Sequence, residues 1–190
     1  VIEEMQAFLS THTNFSEDEY NTFISLAQLT HYPKNEILLY PDKSVNTLFF
    51  LKKGLLRGYR LIDGNDVTHH FFLENWWATD YQAYITGNPG ELYVETLTDT
   101  TVYSFNKADL DQLYNTHPKF NQIARWLGEN SYLTMVERFK DFQLKELKER
   151  YLHLINANPA LFNLVPQKHI ASYLGVTPQS LSRIKEVIHK

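Results

Sequence analysis

Residues 167–185 read QKHIASYLGVTPQSLSRIK, two short apolar runs split by Gly175-Val176-Thr177-Pro178. Pro166 suits the opening of a helix whose inward positions are Ile170, Ala171 and Leu174. Gly175 follows where a helix end needs a residue tolerant of left-handed φ, and Val176 plugs the corner. Thr177 is placed to cap a second helix by accepting an N–H from Gln179 or Ser180, with Pro178 at its first position. Leu181 and Ile184 face inward again. Two helices crossing through so short a turn need a small residue at closest approach, and Ala171 supplies it. The second helix is then left with Gln179, Ser180, Ser182, Arg183 and Lys185 exposed, which is helix-turn-helix geometry. Arg183 has the fork for guanine O6/N7 and Gln179 the amide for adenine N6/N7. Thr177, Ser180 and the positive helix N-terminus suit phosphate, with Lys168 and Lys185 as further phosphate contacts. A plain helical hairpin is the alternative; the fixed Ile-Ala-x-x-Leu-Gly-Val-Thr-Pro spacing favours double-stranded DNA as partner.

Charge agrees with that placement. Residues 1–136 carry 9 Lys+Arg against 17 Asp+Glu, whereas residues 137–190 carry 9 against 5. A basic C-terminal part on an acidic body points to that part alone meeting a polyanion. The 190 residues are 43% hydrophobic and 21% charged, ordinary globular composition with 12 Tyr, 12 Phe and 3 Trp. No apolar stretch approaches the ~20 residues of a membrane helix, so no membrane partner is expected. No secretory pattern opens the chain, and its first residue is valine, so the numbering is read as starting inside the native N-terminus. Absence of cysteine excludes disulfides, thiol switches and cysteine-held iron–sulfur clusters.

Upstream of the quoted motif the pattern changes twice. The first 30 residues read as helices, with Ser16-Glu17-Asp18-Glu19 as a capping box. From Pro33 to Phe105 the runs EILLY, TLFFLKKG, LLRGYRLIDGNDVTHHFF and LYVETLTDTTVYSF are short and rich in β-branched and aromatic residues. Turn signals at Pro41-Asp42, Gly54, Asp63-Gly64-Asn65 and Gly87-Asn88-Pro89-Gly90 separate them, predicting an antiparallel barrel or roll. Asp63-Gly64 is the positive-φ turn of a hairpin. Asn106 caps a helix from Lys107 to Tyr114. Pro118 opens a long helix to about Phe142, with Phe120, Ile123, Leu127, Val136 and Phe139 as its apolar stripe; it covers the roll or pairs with a copy of itself. A further helix carries Leu144, Leu147, Tyr151, Leu154 and Ile155 and is closed by Asn156-Ala157-Asn158-Pro159. The predicted class is α+β: an antiparallel β-roll with N-terminal helices over 1–115, a long dimerisation helix over 116–142, and a helix-turn-helix domain over 143–190.

The whole chain resembles the Crp/Fnr (cyclic-AMP receptor protein) family of bacterial transcription regulators. VPQKHIASYLGVTPQSLSRI resembles that family's winged helix-turn-helix, and EILLYPDKSVNTLFFLKKGLLRGYRLIDGNDVTHHF its cyclic-nucleotide-binding roll. The resemblance implies a parallel homodimer along the long helix. It implies base-reading positions at Gln179 and Arg183, and phosphate-contacting ones at Thr177 and Ser180. It puts a wing hairpin at Leu161-Phe162-Asn163-Leu164-Val165, a stretch short for a full β-wing.

The family's nucleotide pocket uses a Gly-Glu pair for ribose and an Arg-Ser pair for the cyclic phosphate. Here Thr79-Asp80 stands at the first place and Gly90-Glu91, or a neighbour, at the second. A buried phosphate needs a cation or several donors, and Glu91 would repel it. Cyclic AMP is therefore not expected in the usual pocket, no cofactor is expected, and an effector, if one exists, is an unidentified small molecule. Trp76, Trp77, Tyr81, Tyr84 and Tyr93 are expected to fill the roll rather than line a site. GNDVTHHFFLE approaches a cupin motif, but adjacent His69 and His70 point to opposite faces of a strand, so no metal site is expected. The expected function is a cytoplasmic, dimeric, sequence-specific regulator and not an enzyme. A cupin-like metal protein or enzyme, and a sensor scaffold acting only through protein contacts, are the alternatives.

Overall fold

The computed structural model describes residues 3–188, which fall into two compact units. One comprises Val1–Gly58 and Phe71–Asn130, the other Tyr59–His70 and Ser131–Lys190.

The first unit opens with α1 (Glu3–His12) and α2 (Glu17–Ile24). The Ser16 box closes as expected: Ser16 N–H donates to Glu19 Oε2 at 2.7 Å and Glu19 N–H to Ser16 Oγ at 3.3 Å. The helical reading of the first 30 residues ends too late, because Gln28–Tyr32 is strand β1. It is followed by β2 (Ile37–Leu39), β3 (Thr47–Lys53), β4 (Leu56–Ile62), β5 (Asn65–Phe72), β6 (Trp77–Ala78), α3 (Tyr81–Thr86), β7 (Tyr93–Thr96), β8 (Thr100–Asn106) and α4 (Lys107–Thr116). Two four-stranded sheets result, ordered β1-β8-β3-β6 and β2-β7-β4-β5. Registers such as Thr30↔Val102 and Phe50↔Tyr103 are antiparallel. The roll of antiparallel strands with flanking helices is the predicted architecture. At the β4–β5 turn Asp63 (φ 51°) and Gly64 (φ 78°) both take positive φ, as a two-residue hairpin demands.

Phe50, Leu51, Leu56, Val94, Val102 and Phe105 lie in the core, β3 being buried on both faces from Leu48 to Leu51, and α1 and α2 add Met5, Leu9 and Phe23. Phe23 stacks on Phe105 at 4.8 Å, and Trp77 packs edge-on to Phe50 at 5.1 Å. Trp77 and Tyr84 join this filling as expected; Trp76 instead turns outward.

Asn106 caps α4, accepting from Ala108 N–H at 2.8 Å. A 3-10 turn at Pro118–Phe120 leads into α5 (Asn121–Leu144). The apolar stripe read along α5 is two faces. Phe120, Ile123 and Leu127 are buried in the roll's core cluster. Beyond them Tyr132, Met135 and Phe139 are 69%, 53% and 59% exposed. Leu127 and Val136 are nine positions apart, and at about 100° per residue they stand half a turn apart.

In the second unit Glu149 accepts the Glu146 N–H at 2.9 Å and starts α6 (Leu147–Ala157) three residues later than its apolar pattern begins. Where a wing hairpin is implied, Leu161–Leu164 is instead one helical turn, α7; Leu161 and Val165 bury its ends, and Tyr151 meets Phe162 edge-on at 5.3 Å. α8 (Gln167–Tyr173) and α9 (Pro178–Ile188) complete the chain.

Between them Gly175 takes φ +73°. Its N–H donates to Ser172 O at 3.0 Å, and Val176 N–H donates to Ala171 O at 3.0 Å. These are the paired bonds of a Schellman turn, which satisfy carbonyls that the end of α8 leaves open. A Cβ on Gly175 would also come within 3.0 Å of the Phe142 ring. Glycine is thus demanded by torsion, and a side chain here would also crowd the Phe142 ring.

Candidate functional site

The polar face of α9 follows from its two ends. At its start, Thr177 Oγ1 accepts the Ser180 N–H at 3.2 Å and lies 3.1 Å from Ser180 Oγ. Ser180, rather than Gln179, is therefore the capped donor. Leu181, 1% exposed, sits beneath, with Ile184 half-buried on the same side. On the opposite side Gln179, Ser182 and Arg183 are exposed, and helical spacing puts them on one face. Ser180 and Lys185 are half-buried on its two flanks, Thr177 is exposed at its head, and Lys168 is exposed on α8. Arg183 enters no ion pair among the described residues. Glu186, which sequence reasoning did not single out, shares the Arg183 face and places a carboxylate there.

The distal β4–β5 hairpin and α8 are joined by a contact that no local pattern announces. Ser172 Oγ accepts the Thr68 N–H at 2.8 Å and donates to Asp66 O at 3.1 Å, pinning the hairpin backbone to α8. Arg138, on α5, adds a second hold: its guanidinium donates to His69 O and, at 3.5 Å, to Tyr173 O, and lies 4.4 Å from the Tyr173 ring centre. Burial lowers the Arg138 pKa below its ordinary value. Burial, then the charges of Arg138 and His69, also push His70 down to about 3.

In the roll, the segments at Thr79-Asp80 and Gly90-Glu91 are tied together by one side chain. Asp80, 3% exposed, accepts from Ala83 N–H at 3.3 Å, Glu91 N–H at 2.7 Å and Leu92 N–H at 3.1 Å. A carboxylate of the protein itself thus occupies the amides of the second segment. The buried cation of this unit, Arg57, is engaged by Glu95 at 2.8 Å. His69 and His70 both lie on β5, and among the described residues no group of three or more His, Asp or Glu is gathered to hold a metal. No described helix is long and apolar enough to cross a membrane.

The state of His70 gives a pH dependence with a definite sign. Its ordinary pKa is 6.5, and in the folded chain it is about 3. Between those values the unfolded chain binds the extra proton, so stability falls as pH is lowered from about 6.5 towards 3. In His70→Phe that component is absent. Urea midpoints at pH 7 and pH 5 should therefore drop more in the native chain than in the variant; equal drops contradict the assignment.

Comparison with known proteins places this geometry. Residues 29–117 match the cyclic nucleotide-binding domain family. Among curated proteins none matches the chain significantly. Among solved structures, FixK2 from Bradyrhizobium japonicum is similar with a TM-score of 0.74 at 19% identity, covering 86% of this chain and 84% of that one. The c-di-GMP-responsive global regulator CLP of Xanthomonas campestris has a TM-score of 0.71 at 16% identity and covers 90% of each chain. A regulator assigned to the Crp/Fnr family from Eubacterium rectale has a TM-score of 0.73 at 14% identity, covering 92% of this chain and 84% of its own. At these identities the likeness is one of fold. The chain thus matches the cyclic nucleotide-binding domain family over residues 29–117 and shares its fold with FixK2, with CLP and with a regulator assigned to the Crp/Fnr family.

Proposed function

We propose that the chain is a dimeric, sequence-specific DNA-binding transcription regulator of a bacterial cytoplasm, with α8, the Gly175 turn and α9 as its helix-turn-helix and no enzymatic activity. The observation that carries this reading is the bare polar face of α9 (Gln179, Ser182 and Arg183 exposed over a buried Leu181). In a major groove Arg183 reads guanine and Gln179 adenine. Thr177, Ser180, Lys168 and Lys185 meet phosphates and set the salt dependence. The domains are taken as the roll with its N-terminal helices (1–115), the long helix (116–142) and the DNA-binding part (143–190).

Dimerisation belongs to the exposed face of α5. Tyr132, Val136 and Phe139 recur at four and three positions, the spacing of a two-helix seam. Two copies joined there would set their recognition helices on successive major grooves, roughly 34 Å apart.

Cyclic AMP is not the effector in the usual manner. The amides of Glu91 and Leu92 already hold the Asp80 carboxylate, and a bound phosphate would have to displace a like charge.

Three outcomes are expected. With an operator selected from a random duplex library, Arg183→Ala should cost about 1–3 kcal/mol by fluorescence anisotropy and relax one base position; unchanged affinity would remove Arg183 from the reading face. Light scattering at micromolar concentration should return a dimer mass, and a monomer would count against the seam. Titration calorimetry should show no micromolar binding of cyclic AMP; such binding would refute the role given to Asp80.

A further inference from the structure

The side of α5 opposite the exposed Tyr132–Phe139 face borders a cleft of about 350 Å³ shared with α6 and the end of α8. That is the lower end of the range of small-molecule sites. We propose that this cleft is a binding site for a small aromatic carboxylate.

Its charge is unusual. Arg138 and Arg150 both approach the ring of Phe142, with guanidinium carbons 5.9 Å and 4.5 Å from its centre. Neither enters an ion pair among the described residues. Arg138 donates to the neutral carbonyls of His69 and Tyr173. Arg150 Nε is buried with no hydrogen-bond partner. The two acids at the cleft are already engaged. Glu137 pairs with Lys140 at 2.8 Å, and Asp141 with Lys145 and His153 at 2.6 Å each. Burial opposes the Asp141 charge, but the bonds from Lys145 and His153 outweigh it and hold that carboxyl below its ordinary value. The charge left over is therefore positive, and a buried, unpaired guanidinium N–H is costly to leave unmade.

The geometry selects the ligand. A guanidinium presents two parallel N–H donors, the match for a carboxylate fork. Around it Leu133, Leu154 and Leu174 supply apolar wall and Phe142 an aromatic face, which favours a flat ring over a bare anion. The cleft also reaches the hold on the hairpin. An occupant that drew the Arg138 guanidinium towards itself would weaken the bonds to His69 O and Tyr173 O, and so bias how α8 is held. Binding rests on the cleft alone, whereas its consequence for DNA rests on the function proposed above.

The test is titration calorimetry of the full chain with benzoate, benzyl alcohol and inorganic phosphate. Benzoate should bind with a dissociation constant of about 10 mM or tighter, while the alcohol and phosphate bind at least about tenfold more weakly. Arg150→Met should cost benzoate about tenfold or more. Should that variant fail to fold, Ala157→Trp fills the cleft from its exposed rim and should abolish binding in a folded chain. Absence of benzoate binding, equal binding of phosphate, or equal affinity in Arg150→Met or Ala157→Trp would overturn the proposal. Arg150-dependent benzoate binding by a chain that binds no DNA would uphold the site and remove the regulator reading instead.

Discussion

Everything proposed for the C-terminal part depends on one backbone torsion, the positive φ of Gly175. It lets α8 end in a Schellman turn within two residues, so that Thr177 caps α9 at once. A longer connection would let α9 roll, and its underside of Leu181 and Ile184 would no longer be matched to the small surface at Ala171. A left-handed turn costs an L-residue about 1–2 kcal/mol, and a Cβ here would crowd the Phe142 ring at 3.0 Å. Glycine removes both penalties, and an exposed polar face is the result.

α5 serves two ends with one sequence because its apolar positions change face along its length. Its first turns belong to the roll's core through Ile123 and Leu127. Its later turns leave Tyr132, Met135 and Phe139 bare, while Arg138, Asp141 and Phe142 look the other way, towards α6 and α8. One helix thereby carries both the proposed seam and the proposed wall of the cleft, without either competing for the same side chains.

The parts of this structure that local chemistry controls were legible in the sequence. The Ser16 box, the Asp63-Gly64 turn, the Asn106 cap and the Gly175 corner each rest on residues within a few positions of one another. β1 escaped notice because Gln28–Tyr32 follows a helix without a proline or glycine to mark the change, and its partner, β8, lies some seventy residues away. The wing was implied by the resemblance alone, on a stretch too short for a hairpin, and Leu161–Leu164 forms one helical turn instead. The apolar stripe of α5 was read as continuous because hydrophobicity was counted without following its phase. Long-range contacts left no trace at all. Ser172 looks like an ordinary helix serine until Thr68 and Asp66 meet it, and Asp80 looks like a weakened ribose contact until its carboxylate closes on the amides of Glu91 and Leu92.

The chain's lack of cysteine permits a direct test of where α9 goes. Ser182→Cys places a single thiol on the exposed face, to which an iron-chelate cleavage reagent can be attached before a selected duplex is added. The account predicts strand cuts confined to two clusters about one helical turn apart. Cuts spread evenly along the duplex, or none from a protein that still binds it, would mean that this face never enters the groove.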